Sequence, residues 1–257
     1  MNTVPGVIAE LESMKRYPRT LYYRGSLELL ETPKISIVGS RRAGQYARSA
    51  VFELSRKLSQ SGMTIISGAA TGIDRVAHEG AGVNRTVAVL PCGIDRHYPS
   101  SNRDLIESIA TQGLVLSHFE PGFEAREWSF VARNEIVVAL GSALVIAEAE
   151  PDSGSMRSAE YALAMGKPIY VLPHRLGESG GTRRLLAQNK ATAIEDIDRF
   201  VESLSRVSRQ RIEDTPFIAY CRNGPTYEEA VTVYPAEIFE AELGGMIEVR
   251  NGRVYPV

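Results

Sequence analysis

The chain has 257 residues, of which 44% are hydrophobic and 23% are charged, and its net charge is −2. These values are ordinary for a soluble globular protein with one large domain or one domain plus a small appendage, and no run of about 18 apolar residues predicts a membrane span. A net negative charge excludes a polyanion binder held by overall basicity, so a nucleic-acid site would need positive charge gathered locally.

Apolar runs alternate with amphipathic stretches after a lead-in over residues 1–30. The run 35–38 predicts a buried strand, the turn 39–42 follows it, and apolar spacings of three and four predict a helix over 46–60. The same alternation predicts further strands at 63–66, 86–90, 113–117, 143–147 and 168–172, and further helices at 74–78, 102–112, 129–140 and 156–165.

Strands alternating with helices indicate a mostly parallel sheet that is covered by helices on both faces. We therefore predict an α/β fold, an extended Rossmann-like, doubly wound domain over residues 31–204. Residues 205–213 lack apolar periodicity and are interpreted as a linker. Residues 214–257 contain three short helical segments and a hairpin turn at Asn251-Gly252, which predicts a small winged-helix-like domain.

Small, glycine-containing turns follow several of the predicted strands. Ligands of parallel sheets bind beyond the carboxyl ends of the strands, where small residues let the backbone approach an anion and helix N-termini offer free N–H groups. Four turns are therefore suited to a phosphate: Gly39, Ser40, Arg41 and Arg42; the turn 67–72, which begins with Ser67 and Gly68; Pro91, Cys92 and Gly93; and Ser153, Gly154 and Ser155.

The turn after the first strand differs from two well-known phosphate loops. Gly39 and Gly44 have the P-loop spacing, but Gln45-Tyr46 replaces the Lys-Ser/Thr pair that binds Mg²⁺ and the γ-phosphate. Arg41 occupies a position at which the dinucleotide motif requires glycine. The two arginines instead present permanently charged, planar groups suited to phosphate oxygens.

Cysteine and histidine spacing predicts neither a metal site nor a disulfide framework. Cys92 and Cys221 are far apart in sequence and are expected to be thiols in a reducing cytoplasm. Asp74 and His78 are four residues apart on a predicted helix, but no third ligand accompanies them, so we expect a structural role. The sequence predicts no cofactor.

A set of motifs in this order and spacing resembles the DNA-processing protein A family, also called Smf. The matching runs are YPRTLYYRGS (17–26), ISIVGSRRAGQYA (35–47), GMTIISGAATGIDRVAHEGA (62–81), TVAVLPCGIDRHYPSSN (86–102), GLVLSHFEPG (113–122), FVARNEIVVAL (130–140), LVIAEAEPDSGSMRSAEYAL (144–163) and KPIYVLP (167–173). The resemblance implies a homodimer that binds single-stranded DNA in a basic pocket, hydrolyses nothing, and helps load the RecA recombinase during natural transformation.

The resemblance also suggests which residues contact DNA. Arg42 corresponds to an arginine that the family uses for phosphate, and the F-x-x-R-N run supplies Phe130 for base stacking, with Arg133 and Asn134 beside it. Some members place a lysine just before that aromatic residue, and Arg126 is the candidate for this charge here.

Three other functions remain open from the sequence. A small-nucleotide sensor fits the glycine turns, and a protein adaptor would use them only structurally. A nucleotide phosphoribohydrolase on the same fold requires Pro-Gly-Gly-x-Gly-Thr-x-x-Glu, whereas Ser158 stands at the position of the glutamate and Glu160 lies two residues later. The acidic helix near Glu237 and Glu240 predicts that the C-terminal domain contacts protein or has a regulatory role and does not bind duplex DNA.

Overall fold

The computed structural model describes residues 2–204, 215–243 and 245–256, in two compact units that meet at Val201 and Glu202. The predicted linker 205–213 lies outside the described residues. The strands are β1 (Asn2–Thr3), β2 (Tyr22–Gly25), β3 (Lys34–Val38), β4 (Thr64–Ser67), β5 (Thr86–Val89), β6 (Leu114–Ser117), β7 (Leu144–Ile146), β8 (Ile169–Val171), β9 (Thr192–Ala193), β10 (Ile247–Arg250) and β11 (Arg253–Pro256). The helices are α1 (Gln45–Gln60), α2 (Ile73–Ala81), α3 (Arg103–Gln112), α4 (Glu127–Leu140), α5 (Gly154–Ala164), α6 (Gly180–Ala187), α7 (197–204), α8 (Pro216–Cys221), α9 (Tyr227–Val233) and α10 (Glu237–Leu243).

One mostly parallel sheet organises the larger unit. Its strand order is β1-β2-β6-β5-β4-β3-β7-β8-β9, in which all pairs from β6 to β9 are parallel and the pairs of β2 are antiparallel. This arrangement confirms the predicted α/β class with a mostly parallel sheet. The chain runs outward from β3 to β6 and then returns to place β7 on the other side of β3. The carboxyl ends of β3 and β7 therefore form the switch point at which ligands of such sheets bind.

Successive side chains of each buried strand point to opposite faces of the sheet, so both faces are apolar and both are covered by helices. Val87 and Val89 of β5 belong to a core cluster that also contains apolar residues of α4 and α5. Ala88, between them, packs in a different cluster with Ile106 and Ile109 of α3. β5 thus contributes to a core on each face of the sheet, as expected for a doubly wound domain.

The first 30 residues, which were predicted only as a lead-in, belong to the larger unit. β2 pairs antiparallel with β6, with Tyr23 opposite Leu116, and therefore extends the sheet at that edge. Leu11 is completely buried and belongs to the same core cluster as the α4 side chains. Without β2, the backbone N–H and C=O groups on the outer side of β6 would be unpaired, and the lead-in satisfies them by extending the sheet.

The smaller unit contains the three short helices and the hairpin expected from its sequence. Thr226 caps α9 through a capping box with Glu229, and β10 pairs antiparallel with β11. Asn251 and Gly252 have φ values of +53° and +73°, as a two-residue hairpin turn requires. A winged-helix-like domain remains our interpretation of this unit.

Buried polar side chains accompany the apolar core of the larger unit. His78 on α2 is completely buried, and its Nδ1 lies 2.6 Å from the Thr86 hydroxyl, which itself donates to the carbonyl of Ile65 at 2.8 Å. Nδ1 therefore carries the proton and donates to Thr86. Nε2 is buried without a hydrogen-bond partner among the described residues, and burial lowers the pKa of His78 to about 3.

The depressed pKa of His78 predicts acid sensitivity. In the unfolded chain His78 is protonated below a pKa near 6.5, whereas in the folded chain its pKa is about 3. The stability that His78 contributes at pH 7 is therefore lost as the pH falls below 6.5. Between pH 7 and pH 5 this single group should lower the free energy of unfolding by about 2 kcal/mol. Urea unfolding at the two pH values, followed by the fluorescence of Trp128, measures this change in the free energy of unfolding. His78→Gln, which keeps a donor for Thr86 but does not titrate, should lose this part of the pH dependence; an unchanged dependence in the variant contradicts the assignment.

Candidate nucleic-acid interface

The loop after β3 is clamped by a glutamate that follows β7. The carbonyl of Glu148 accepts from the N–H of Ser40 at 2.9 Å, and its carboxylate accepts from the N–H of Gly44 at 3.0 Å. Glu148 thus fixes both ends of the arginine loop, residues 39–44. Sequence reasoning missed Glu148 because its role depends on β7 lying beside β3, which only the structure shows.

Two glycines let the arginine loop pack closely against the start of α2. Gly72 has a φ of +76°, and a Cβ there would lie 2.3 Å from the carbonyl oxygen of Ser40. A Cβ at Gly39 would lie 2.6 Å from the side chain of Ile73, whose N–H donates to Ser40 O at 3.1 Å. The backbone of the loop is therefore held on two sides, which leaves its side chains to project outward.

Arg41 and Arg42 are the exposed cations of this loop. The guanidinium of Arg41 lies 5.1 Å from the centre of the Phe130 ring, a cation–π contact that joins the loop to α4. The Arg42 N–H donates to the Ser40 hydroxyl at 3.1 Å. Among the described residues no carboxylate forms an ion pair with either guanidinium, so both positive charges are available to a ligand.

Phe130 forms an aromatic surface beside the two arginines. Its side chain is partly exposed, and its ring meets the ring of Tyr98 edge-on, with centroids 5.1 Å apart. Tyr98 and Arg41 therefore hold the ring from two directions. A partly exposed aromatic ring next to free guanidinium groups can stack a base while the arginines contact phosphates.

Arg133 is buried, in contrast with the phosphate contact expected from its sequence. The residue is only 3% exposed, and its guanidinium donates to the carbonyl of Gly68 and, at 2.6 Å, to that of Val89. Its Nε donates to the side-chain oxygen of Asn134 at 3.1 Å. The side chain is thus committed to the loops that follow β4 and β5, and its role is to position α4 above them.

Ser67 and Gly68 are also structural, because they lie in the interior beside Arg133 and not at the surface. The DNA contacts expected from these two residues are therefore not supported. Ser67 is fully buried and donates its hydroxyl to the carbonyl of Ile37 at 2.7 Å. A Cβ at Gly68 would lie 2.1 Å from the guanidinium of Arg133. Glycine is required here because Arg133 packs directly on the backbone.

The buried positive charge of Arg133 has one anionic counterpart, Asp74. Burial raises the pKa of this carboxyl, whereas the charge of Arg133 and the N–H groups of Gly68 and Ala70 favour its ionised form. Burial also raises the pKa of the Cys92 thiol to about 11, which makes this cysteine an unreactive core residue at neutral pH. Asp74 and His78 therefore serve the interior, as the sequence suggested.

The N-terminus of α5 meets α4 on the other side of the arginine loop. Asn134 donates its side-chain N–H to the carbonyl of Gly154 at 3.5 Å, which links the two helices. Gly154 is exposed, whereas the side chain of Ser155 is buried and the hydroxyl of Ser153 is buried without a partner among the described residues. Only the backbone of this turn is suited to an anion, as the sequence suggested for it.

Arg126 lies just before α4, in an aromatic loop. Its guanidinium is exposed and lies 5.8 Å from the centre of the Phe123 ring. Trp128 packs edge-on against Phe119 and Phe123 at 5.6 and 5.5 Å, yet remains 54% exposed. The structure thus keeps a cation and an exposed aromatic ring at this end of α4.

Comparison with known proteins identifies relatives of this chain. The family model for DNA recombination-mediator protein A matches residues 6–205. Protein Smf of Synechocystis is 37% identical over 74% of this chain and 50% of its own length, and the DNA processing protein DprA of Streptococcus pneumoniae is 34% identical over 70% and 64%. The chain therefore spans about half to two thirds of these relatives.

A solved structure supports the same relationship. It shows DNA processing protein A from Helicobacter pylori, a protein with a described single-stranded DNA binding mode, and shares 39% identity with this chain. The match covers 80% of this chain and 95% of the other, with a TM-score of 0.78. The resemblance seen in the sequence motifs is confirmed by these matches.

Replacing the buried Arg133 should lower the free energy of unfolding much more than replacing the exposed Arg42. Arg133→Met leaves Asp74 without its counterpart and two carbonyls without donors, so we expect a loss of about 3–5 kcal/mol in the free energy of unfolding. Urea denaturation measures the loss, and Arg42→Ala, an exposed change, should stay within about 0.5 kcal/mol of the parent protein. Equal stabilities of the two variants would show that Arg133 is not a buried structural charge.

Proposed function

Because this chain belongs to the DNA recombination-mediator protein A family, we propose that it binds single-stranded DNA at the carboxyl edge of its parallel sheet. The observation that carries the proposal is the exposed Arg41-Arg42 pair, which forms no ion pair with a carboxylate of the described residues and lies beside the partly exposed ring of Phe130. Free guanidinium groups bind phosphate oxygens, and an adjacent aromatic ring stacks a base of any identity. The net charge of −2 is compatible with this, since Arg41 and Arg42 place two positive charges next to each other on one loop.

Each residue of the interface has a proposed role. Arg42 and Arg41 contact phosphates, and Phe130 stacks a base. The backbone N–H of Gly154 is available to a further phosphate at the start of α5, whereas the N–H of Ser153 already donates to the carbonyl of Glu150 at 3.1 Å. Arg126 adds charge at the start of α4, whereas Asn134 and Arg133 hold α4 in place.

We further propose that the protein acts without catalysis. In the related nucleotide phosphoribohydrolases a glutamate on the helix after this turn performs the reaction. Ser158 occupies that position here and is completely buried. Glu160 is exposed and is bonded to Arg157 at 2.9 Å, on the solvent side of α5. The proposed role is binding and delivery of DNA.

The wider biological role follows from the family name and its relatives. Members are named as recombination mediators and DNA processing proteins. On this basis we propose that the chain acts in the cytoplasm as a homodimer and helps load the RecA recombinase onto DNA during natural transformation. The RecA contact and the dimer are tested by co-purification and by light scattering of the intact chain.

Arg42 should dominate the electrostatic part of DNA binding. Replacing Arg42 by Ala removes a charged phosphate contact, so affinity for labelled oligo-dT should fall about tenfold or more, and the slope of log affinity against log salt should decrease by about 0.7. Fluorescence anisotropy over a salt series measures both quantities. Arg56→Ala removes an equal, exposed charge at the far end of α1 and should bind like the parent protein.

Two results of this titration would contradict the proposal. If Arg42→Ala and Arg56→Ala bind equally well, the arginine loop is not the phosphate site. If the parent protein does not bind oligo-dT at low salt, the single-stranded DNA function is wrong, and a small nucleotide becomes the candidate ligand.

Phe130 should contribute stacking and little charge. Phe130→Leu keeps an apolar side chain but loses the aromatic face, and we expect affinity for oligo-dT to fall about fivefold or more with an unchanged salt slope. Anisotropy provides the affinity, and Phe52→Leu on the exposed face of α1 is the matched control. A variant that changes the salt slope as Arg42→Ala does would argue against stacking.

A further inference from the structure

The carboxyl edge of the sheet continues beyond the arginine loop to the loop that follows β6. Residues 118–126 of this loop are held by Asp95, whose two carboxylate oxygens accept from the N–H of Gly122 at 2.8 and 3.0 Å. The N–H of Gly93 donates to the carbonyl of Phe123 at 2.9 Å. The loop is therefore tied at two points to the segment that follows β5.

An aromatic platform, which consists of Phe119, Phe123 and Trp128, joins this loop to the first turn of α4. The rings of Phe119 and Phe123 are stacked, with centroids 4.6 Å apart and planes 9° apart. Trp128, the only tryptophan of the chain, packs edge-on against both rings and is 54% exposed. A large ring that is fixed on one side and open to solvent on the other is a preformed surface for a planar ligand.

Three exposed cations lie in one short part of the lead-in, residues 15–19, which we call the basic segment. Lys15, Arg16 and Arg19 are exposed, and no carboxylate of the described residues forms an ion pair with them. Tyr17, between them, is 37% exposed. None of the roles proposed above uses the basic segment or the ring of Trp128.

Contacts before and after the basic segment place it beside the aromatic platform. The N–H of Lys15 donates to the carboxylate of Glu135 at 3.0 Å. Glu135 follows Trp128 by seven residues and therefore lies on the same face of α4, about 10 Å farther along the helix axis. Beyond the segment, the hydroxyl of Tyr22 donates to Glu120, in the loop after β6, at 2.7 Å. The basic segment thus spans the distance from the middle of α4 to the platform.

Several carboxylates of this surface are already engaged. Glu135 and Glu120 accept the hydrogen bonds described above, and Glu124 forms an ion pair with Arg96 at 3.2 Å. Glu127 is exposed in the first turn of α4, where the free N–H groups of a helix N-terminus favour a carboxylate. The cations of the basic segment keep their charge for a ligand.

Phe130 and Trp128 lie on opposite flanks of the first turn of α4. They are two residues apart, which rotates their directions by about 200° around the helix axis. Phe130 contacts Arg41 of the arginine loop, whereas Trp128 contacts the loop after β6. A DNA strand that leaves the arginine loop along this edge of the sheet therefore meets Trp128 after Phe130.

We infer that the aromatic platform and the basic segment form a second subsite for the same single strand of DNA. Trp128 stacks a base, and Arg16 and Arg19 contact phosphates that follow it. An exposed aromatic ring beside unpaired cations is the combination with which proteins hold single-stranded nucleic acid of any sequence. Continuity with the arginine loop favours DNA over an acidic protein as the occupant. The subsite rests on the proposed function and gives the bound strand a direction, from β3 towards β6 and β2.

The fluorescence of Trp128 reports on the subsite directly, because the chain has no other tryptophan. Oligo-dT is titrated into the parent protein, and the emission is compared with the anisotropy of the labelled oligomer. A base stacked on Trp128 should quench its emission in parallel with the rise in anisotropy. Emission that stays unchanged when the oligomer is saturated with protein overturns the inference.

Variants of Trp128 separate stacking from loop packing. Trp128→Leu should lower the affinity for oligo-dT about fivefold or more, whereas Trp128→Phe, which keeps an aromatic face, should recover most of the loss. Phe52→Leu, an exposed aromatic residue of α1, is the control and should bind like the parent protein. An affinity of Trp128→Leu equal to that of the control overturns the inference.

The basic segment is tested by its share of the salt dependence. Arg16→Ala combined with Arg19→Ala removes two phosphate contacts, so the slope of log affinity against log salt should decrease by about 1.4. Arg56→Ala combined with Arg199→Ala removes two exposed arginines, at the far end of α1 and in the adjacent α7, and should leave the slope unchanged. Equal slopes for the two double variants contradict the phosphate contacts.

The same titrations distinguish this inference from the proposed function. Binding that requires Arg42 but neither Trp128 nor the basic segment overturns the second subsite alone. Binding that requires Trp128 and the basic segment but not Arg42 supports the subsite and contradicts the arginine loop. If oligo-dT does not bind at low salt, both fail; binding of labelled oligo-glutamate that Arg16→Ala with Arg19→Ala abolishes would then identify an acidic protein as the occupant.

Discussion

The buried guanidinium of Arg133 is the interaction on which the ligand-binding edge depends. A buried positive charge is tolerated only when its donors are satisfied and a counter-charge is near, and Gly68, Val89 and Asp74 meet these needs. Because the bonded carbonyls belong to the ends of β4 and β5, Arg133 ties α4 to two strands at once. Phe130 lies about one turn before Arg133 on α4, so the hydrogen bonds of Arg133 also fix the position of the Phe130 ring.

The exposed arginines depend on a second constraint, the clamp formed by Glu148 and Gly72. The clamp satisfies backbone N–H groups at both ends of the arginine loop and presses the middle of the loop against α2. Positive charge is thereby displayed on a fixed backbone, so little order has to be gained when a phosphate binds.

Local patterns in the sequence were sufficient to predict the parallel strands β3 to β8, the helices α1 to α5 and the turn that carries Arg41 and Arg42, but not β9 or α6. Facts that depend on strand order were not predictable. Glu148 gains its role only because β7 lies beside β3, and β2 joins the sheet through pairing with β6. Arg133 was misjudged because a spacing of three from Phe130 places the two side chains near each other on the helix, without showing which one faces the interior.

The placement of β7 beside β3 has a consequence for biosynthesis. The arginine loop and the residues that clamp it are separated by more than 100 positions in the chain, and both are needed to shape the edge. Contacts between such distant segments form late, after a long loop has closed. A nascent chain that has emerged only as far as α4 therefore carries its arginines on a loop that lacks its clamp, and the proposed DNA-binding surface forms only after β7 has been translated and inserted.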